Sequence, residues 1–262
     1  GTYNKNELGY LKRHHPNAPN LDQFDAYRAT LGQKKISELD TFSQFSGPTH
    51  TRGDNAAPLI YACAYSDFVS IDRDLFDIVG ITGNSMGWYI ALACAGAVDP
   101  MGGMQVVNTM GTLMQVHMIG GQLIYPFLDD NWQEIPGRRD NLLSEVITIN
   151  SRPDHDLGLS IDLGGMLVLA GNEAGLTAFE RSVPALQGRF PMRLQNHAGF
   201  HTHLQRPISK LGVDALSEQL FVQPTIPLID GRGALWYPNS TDTSALYTYP
   251  LGHQVGEPYD FT

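Results

Sequence analysis

A serine flanked by glycines is the first feature of this sequence that could do chemistry. The segment Gly83-Asn84-Ser85-Met86-Gly87 fits the pattern Gly-x-Ser-x-Gly, in which the serine sits on a tight turn between a strand and a helix. Glycines two positions away on either side leave room for such a turn. The backbone N–H of Met86 and the positive end of the helix would face a developing oxyanion. The pattern predicts a nucleophile at Ser85; the alternative is that this serine only caps the helix.

A serine hydroxyl needs a base within hydrogen-bond reach to become a nucleophile, and the sequence has nine histidines. Three of them lie close together in the segment His197-Ala-Gly-Phe-His201-Thr-His203, where the chain returns from one predicted domain to another. Ligands often bind in clefts between domains, so we expect a histidine of this cluster to face Ser85 across such a cleft. No metal site is predicted, because the cluster contains no cysteine and no His-Glu-x-x-His pattern.

The elements that must hold Ser85 can also be predicted from the sequence. Helical spacing of apolar residues predicts a core helix over Asn55–Val69. An apolar strand over Asp77–Thr82 comes next, and a helix of small and large apolar residues follows the turn at Ser85. Strand, turn and buried helix in this order begin an α/β unit. We therefore expect an α/β fold, with a large domain like that of the α/β-hydrolases around a parallel sheet.

A second domain is predicted between the serine and the histidine cluster. Strands and helices alternate in the order β-α-β-β-α-β, which is typical of a ferredoxin-like unit. Gly164 and Gly165 mark the turn of its central hairpin, and Asn172 begins its second helix. The predicted small domain covers residues 118–196, and the predicted large domain covers residues 1–117 and 197–262.

Composition excludes several classes of function. The formal net charge of −10 and a sequence pI near 5.2 would repel a nucleic acid backbone. No apolar run is long enough for a membrane span, and the N-terminal residues do not resemble a signal peptide. Cys63 and Cys94 lie in apolar surroundings that suit reduced, buried thiols, so a cytoplasmic protein is expected.

Four motifs together resemble a known family, the malonyl-CoA:acyl-carrier-protein transacylases and the acyltransferase domains of polyketide and fatty acid synthases. The motifs are GNSMGWYIALACAGAVD at the predicted nucleophile, NTMGTLMQ on the next helix, GGMLVLAGNEAGLTAFE in the small domain and HAGFHTHL at the histidine cluster. They occur in the family's order, and the resemblance extends from about Asn55 to Phe261.

This resemblance implies a ping-pong transfer of an acyl group. Ser85 would take the group from acyl-CoA, and the phosphopantetheine thiol of an acyl carrier protein would remove it. His201 matches the catalytic histidine of the family, and the N–H of Met86 matches half of the oxyanion hole. Asn84, Met110 and Phe200 are the expected substrate-binding residues. One histidine can serve both steps, first as base and then as acid. No bound cofactor is expected, and the family acts in fatty acid or polyketide biosynthesis.

The departures from the family concern the substrate. Malonyl-specific members carry an arginine that pairs with the malonyl carboxylate, and Met110 occupies its place here. A thioether cannot form that ion pair, and a buried carboxylate without one is costly. We therefore expect either an uncharged acyl group or a carboxylate bound by another cation, for example Arg193 or Arg206. A carrier protein is acidic, and the cations expected to contact it are Arg189, Arg193, Arg206 and Lys210.

Two other functions remain open at this point. A serine esterase or thioesterase could use Ser85, Asp230 and His253 in the order serine, acid, histidine, although it would leave the cluster around His201 without a role. The second open function is that of a noncatalytic binding module whose active site has decayed. By the same resemblance, Gly1 is expected to be the tail of a glycine-rich loop, and residues 251–262 to precede further elements, so that the large domain would be truncated at both ends.

Overall fold

The computed structural model describes residues 3–260, so the predictions that concern Gly1 and Phe261 lie outside the described residues. In chain order the elements are the following: α1 Tyr10–His14, α2 Leu21–Thr30, α3 Ile36–Asp40, α4 Gly47–His50, α5 Gly53–Val69, β1 Ile81–Thr82, α6 Met86–Cys94, α7 Pro100–Val116, β2 Gly121–Pro126, α8 Arg138–Asn150, β3 Leu157–Asp162, β4 Met166–Gly171, α9 Glu173–Ser182, β5 Met192–Leu194, a 3-10 helix His203–Gln205, α10 Arg206–Ala215, a 3-10 helix Glu218–Leu220, β6 Leu228–Ile229, β7 Leu235–Trp236, α11 Thr243–Leu251, α12 His253–Gly256 and β8 Tyr259–Asp260. The fold is mixed α/β.

The chain forms two compact units. The first comprises the described residues up to Val116 together with Leu211–Pro250, and the second comprises His117–Lys210 and the described residues from Leu251 onward. Residues 197–210 and the described part of 251–262 therefore group with the second unit, whereas the sequence analysis assigns them to the large domain. None of the helices within residues 3–260 has the length and apolarity needed to cross a membrane.

The core of the first unit is built on the predicted helix over Asn55–Val69, which the structure confirms as α5. This helix packs against α7 through small residues: a Cβ atom added at Gly111 would lie 2.5 Å from the carbonyl oxygen of Gly53 and 3.0 Å from Cβ of Ala57. A side chain at either glycine would force the helices apart. The close approach fixes where α7 lies relative to α5, and with it the position of Met110.

The strand predicted over Asp77–Thr82 is wrong in its length. Only Ile81–Thr82 form β1, which pairs in parallel with β6, and β6 pairs antiparallel with β7. Of the preceding apolar residues, Val79 is exposed by 80% of its surface and Ile78 is half-buried. An apolar run favours a strand only where a neighbouring strand can supply hydrogen bonds. Within the described residues the pairing with β6 starts at Ile81, so the earlier residues stay irregular.

The second unit contains a five-stranded sheet in the order β5-β2-β4-β3-β8. From Gly121 to Leu194 its elements follow the predicted order β-α-β-β-α-β, with helices α8 and α9 between the strands. Leu123, Leu169 and Phe179 belong to its buried apolar cluster. As predicted, Asn172 caps α9, because its side chain accepts a hydrogen bond of 2.8 Å from the N–H of Gly175.

The two cysteines differ slightly from expectation. Both are free thiols, but only Cys94 is buried, and Cys63 is partly exposed. Burial raises the pKa of each thiol to about 12. Both therefore stay protonated near neutral pH, which makes them poor nucleophiles.

Candidate active site

Ser85 lies in the first unit on a strained turn between β1 and α6. Its backbone angles are φ 55° and ψ −128°, a region that residues other than glycine rarely adopt. The turn is closed by two hydrogen bonds, from the N–H of Gly87 to the carbonyl of Asn84 (2.9 Å) and from the N–H of Trp88 to the carbonyl of Ser85 (3.0 Å). Strain of this kind costs about 1–3 kcal/mol and concentrates at functional sites. The geometry is that of a strand-turn-helix nucleophile elbow.

The two glycines of the elbow have different roles. A Cβ atom at Gly83 would lie 2.1 Å from the carbonyl oxygen of Gly87, so position 83 can hold only glycine. A Cβ atom at Gly87 would meet no heavy atom within 4 Å. The expectation that neither position tolerates a side chain is therefore wrong for Gly87. What the turn requires at position 87 is a backbone carbonyl close to residue 83.

The hydroxyl of Ser85 does not serve as a cap of α6. Within residues 3–260 its side chain makes no capping hydrogen bond to that helix, which contradicts the structural alternative for this serine. Met86 is the first residue of α6, so its N–H belongs to the helix end that carries partial positive charge. An oxygen atom that acquires negative charge beside Ser85 would be stabilised there.

Two buried polar atoms next to Ser85 lack a partner in the described part of the chain. They are Oδ1 of Asn84 and Nε1 of Trp88, an acceptor and a donor. The indole of Trp88 is fully buried against the ring of Tyr249, edge to face at 5.3 Å. Unpaired buried polar atoms are rare in folded proteins and need an explanation.

Met110, a predicted substrate-binding residue, is buried in α7 with 1% of its surface exposed. A buried arginine does occur in the same unit, but it is fully engaged. The guanidinium of Arg28 donates to the carbonyls of Lys34 and Asp54 and to the amide oxygens of Asn55 and Asn108. Burial lowers the pKa of Arg28 to about 10. Its contacts are all to neutral oxygens, so this cation acts as a cross-link between helices.

His201 lies in the second unit, where three contacts fix it. Its ring Nδ1 is 2.7 Å from the carbonyl oxygen of Gln254, and its ring stands edge to face on Tyr259 with centroids 4.7 Å apart. Its backbone N–H donates to the carbonyl of Val255 at 3.1 Å. A carbonyl can only accept, so Nδ1 carries the proton and Nε2 of the neutral ring has a lone pair. That tautomer is the one a general base needs.

Burial lowers the pKa of His201 from 6.5 to about 4, and the hydrogen bond to the carbonyl of Gln254 opposes this only in part. The imidazole is therefore neutral near neutral pH. A neutral imidazole can accept a proton from a hydroxyl. Like Ser85, His201 has a positive φ, of 56°, so both predicted catalytic residues are held in strained backbone conformations.

The other residues of the histidine cluster have partners of their own. Nδ1 of His197 is 3.0 Å from Oε1 of Gln122, and Nε2 of His203 is 2.8 Å from Oδ2 of Asp156. The ring of Phe200 lies between its neighbours, 5.7 Å from His197 and 6.5 Å from His201. The three histidines thus have different partners and do not converge on one site.

The two arginines named as alternative partners for a substrate carboxylate each lie near glutamates of the same unit. Arg193 forms ion pairs with Glu173 (3.1 Å) and Glu180 (2.7 Å). Arg206 is 70% exposed and lies 3.7 Å from Glu257. Neither guanidinium is therefore a buried cation without a carboxylate nearby.

Asp230, the acid of the hydrolase alternative, is buried and saturated with hydrogen bonds. Its Oδ1 accepts from the N–H groups of Arg232 and Ala234, and its Oδ2 accepts from the guanidinium of Arg232 and from Nε1 of Trp236. These contacts close the turn between β6 and β7. The carboxylate orders this turn, and His253 belongs to the other unit.

The structure brings together Asn84, Ser85 and Met86 within the first unit, and Phe200 and His201 within the second. Because Ser85 and His201 belong to different units, their pairing stays a prediction. Sequence reasoning missed the carbonyl of Gln254 and the ring of Tyr259 as partners of His201. A backbone carbonyl leaves no trace in residue type, so no sequence signal could have identified it.

Known proteins resemble this chain in structure but not in sequence. No family model matches the sequence, and no curated protein matches it. The malonyl-CoA:ACP transacylase of Synechocystis superposes with a TM-score of 0.72 at 18% identity, over 99% of this chain and 79% of that chain. The acyl carrier protein S-malonyltransferase of Vibrio cholerae gives 0.75 at 19% identity, over 100% of this chain and 80% of that chain. A type II PKS acyl-carrier protein in complex with its malonyl-transacylase gives 0.75 at 17% identity, over 97% and 78%.

The structure and these comparisons define an α/β protein with a serine elbow. More particularly, the chain has the fold of the malonyl-CoA:acyl-carrier-protein transacylases, as the four sequence motifs predicted. The structures that it resembles are acyltransferases by description, and one of them was solved with its carrier protein bound.

Proposed function

We propose that this protein is an acyl-CoA:acyl-carrier-protein S-acyltransferase that works through an acyl intermediate on Ser85. The carrying observation is the backbone of Ser85, strained at φ 55° on a turn that only glycine at position 83 permits. This strain does not stabilise the fold. The strained turn projects the hydroxyl of Ser85 from the start of α6. The fold shared with malonyl-CoA:ACP transacylases supports the same function.

In the proposed first step, Nε2 of His201 takes the proton of the Ser85 hydroxyl as its oxygen attacks the thioester carbonyl. The N–H of Met86 supplies one donor to the oxyanion, and CoA leaves as the thiol after receiving the proton from His201. In the second step the phosphopantetheine thiol of the carrier protein attacks the acyl serine by the same route. The neutral, Nδ1-protonated ring of His201 supports its part in both steps.

We further propose an α/β-hydrolase-like large domain with a ferredoxin-like small domain, as in the predicted division at residues 118–196. The element order and the strand order β5-β2-β4-β3 of the second unit support the small domain. Activity in fatty acid or polyketide biosynthesis, and in the cytoplasm, belongs to the same proposal. Acyl-CoA is the proposed donor.

The acyl group is proposed to be uncharged. Met110 is buried and cannot pair with a carboxylate, and Arg28 and Arg193 are held by partners in their own units. A malonyl carboxylate beside a thioether would lose its hydration without an ion pair in return.

The test is intact-mass spectrometry after incubation with acetyl-, butyryl- or malonyl-CoA, followed by digestion to locate the adduct. We expect an acetyl or butyryl adduct on Ser85, absent in Ser85→Ala, and transfer to a holo carrier protein when it is added. A hydrolase would instead release the acid and depend on His253. An adduct lost in His253→Ala but kept in His201→Ala would contradict the proposal, and a strong preference for malonyl-CoA would contradict the uncharged substrate.

A further inference from the structure

A chain of polar side chains in the second unit ends at the peptide bond that precedes His201. Nδ1 of His197 lies 3.0 Å from Oε1 of Gln122, Nε2 of Gln122 donates to Oγ of Ser160 at 2.8 Å, and that hydroxyl donates to the carbonyl of Phe200 at 2.8 Å. Every donor in the chain points in the same direction. Such a chain strengthens each of its hydrogen bonds and fixes the orientation of the hydroxyl at its end.

The two middle members of this chain lie in the sheet of the second unit. Gln122 belongs to β2 and Ser160 to β3, and both side chains are buried, with 3% and 0% of their surface exposed. Burying polar groups in a sheet is costly unless each finds a partner, and an apolar pair would fill the same space without that cost. The contribution of these two residues is therefore the hydrogen bonds that they form. Both lead to the carbonyl of Phe200, which also lies 3.4 Å from Nε2 of Gln122.

The same peptide bond is held from its other side. The N–H of His201 donates to the carbonyl of Val255 at 3.1 Å, while the carbonyl of Phe200 accepts from Ser160. A peptide unit is planar, so fixing both of its polar groups fixes its rotation. That rotation sets the φ angle of His201, which is 56° and unfavourable for a residue with a Cβ atom. Without the hydroxyl of Ser160, one of the two restraints on this angle is lost.

We propose that Ser160 and Gln122 are positioning residues that hold the His201 imidazole in its working orientation through the Phe200 carbonyl. The inference rests on the proposed function, because it assigns His201 as the base. Their side-chain hydrogen bonds run to each other, to His197 and to the carbonyl of Phe200. The two act on the rate of proton transfer and not on the affinity for acyl-CoA, since both are buried in the sheet and bind the carbonyl of Phe200.

The first test is the single-turnover rate of Ser85 acylation in Ser160→Ala, measured by rapid quench and intact mass over a range of butyryl-CoA concentrations. Misplacement of a catalytic group by a fraction of an ångström lowers rates steeply, so we expect a fall of about 10- to 100-fold at saturation. The half-saturating concentration of butyryl-CoA should change by less than about twofold. Ser66→Ala is the matched control, because Ser66 is equally buried and donates to a backbone carbonyl, that of Ala62, at 2.8 Å in the first unit. It should keep the wild-type rate.

The second test does not need activity. In protein labelled with nitrogen-15 in histidine, the ring signals of His201 report which nitrogen carries the proton. We expect one sharp Nδ1-protonated form in the wild type and in Ser66→Ala, and a broadened or mixed tautomer signal in Ser160→Ala. If wild-type Ser85 takes no acyl group, the proposed function fails, and this spectrum alone decides the positioning role.

If Ser160→Ala fails to fold, a second variant still tests the inference. Gln122→Met keeps the volume of the side chain but removes the donor to Ser160, and it is measured in the same two ways if Ser160→Ala has no cooperative thermal transition. A rate within about threefold of that of Ser66→Ala, together with unchanged His201 ring signals, would overturn the inference. A fall in rate caused by a higher half-saturating butyryl-CoA concentration alone would overturn it as well.

Discussion

The acylation rate of Ser85 should be almost independent of pH down to about pH 5, well below the usual titration range of a histidine. Only the neutral imidazole of His201 can accept the serine proton, and burial lowers its pKa to about 4. An exposed histidine with a pKa near 6.5 would lose its base form through the range where most enzymes are assayed. The depressed pKa therefore makes a prediction that separates His201 from any exposed histidine.

The size of the effect follows from the two pKa values. At pH 5.5 a base with a pKa of 6.5 is only ~10% neutral, whereas one with a pKa near 4 is ~97% neutral. Between pH 7.5 and 5.5 the acylation rate should fall by about tenfold in the first case and by less than about 1.2-fold in the second. The half-maximal rate should come at about pH 4.

The assay is a single-turnover measurement with excess enzyme and butyryl-CoA, quenched with acid and followed by intact mass from pH 3.5 to 8. His201→Ala should lower the rate by about 10²- to 10⁴-fold, the range for loss of a general base. His203→Ala is the control, since this exposed neighbour pairs with Asp156 and should leave both rate and pH profile unchanged.

Two results would refute this reasoning. One is a profile that falls tenfold between pH 7.5 and 5.5, because the base would then be a solvent-exposed group. The other is a rate in His201→Ala equal to that of His203→Ala.

Three further predictions concern the scaffold. Gly83→Ala should abolish acylation and lower the thermal midpoint, because its Cβ atom would collide with the carbonyl of Gly87, while Gly87→Ala should retain both; differential scanning calorimetry and the mass assay compare them. Arg139→Met should destabilise the protein by about 2 kcal/mol in urea unfolding, because it leaves the fully buried carboxylate of Asp162 without its ion pair, and no loss would refute that role. Burial also lowers the pKa of His197 to about 4, so between pH 6.5 and 4 the unfolded chain binds a proton that the folded one does not. Stability should therefore fall by about 3 kcal/mol from this group as the pH drops through that range, and His197→Asn should lose this part of the dependence in urea titrations at several pH values.

Sequence reasoning predicted the elements whose pattern is local. Helix α5, the β-α-β-β-α-β order and the cap at Asn172 all depend on spacing and residue type, and the structure confirms them. The strand before Ser85 was predicted too long, because apolar composition does not show where a partner strand begins. Gly87 was assigned a steric need that belongs to Gly83, because the sequence pattern is symmetric and the turn is not.

The candidate site was predictable only where a side chain carries the chemistry. Ser85 and His201 follow from motif and family resemblance, and the structure gives both of them strained backbones. The carbonyl of Gln254 could not be predicted, because every residue has one. Gln122 and Ser160 could not be distinguished from outward-facing polar residues of a strand, since their burial depends on the register of the sheet.

The partner of the His201 ring nitrogen is a carbonyl of the main chain, which bears no full charge. A carboxylate in that position would stabilise the imidazolium ion and make the ring a stronger base, which helps when the incoming nucleophile is water. With a neutral partner, the ring is a weaker base. A thiol ionises far more readily, so it needs little help from the base. In the proposed mechanism, this difference would favour attack on the serine ester by the carrier thiol over attack by water.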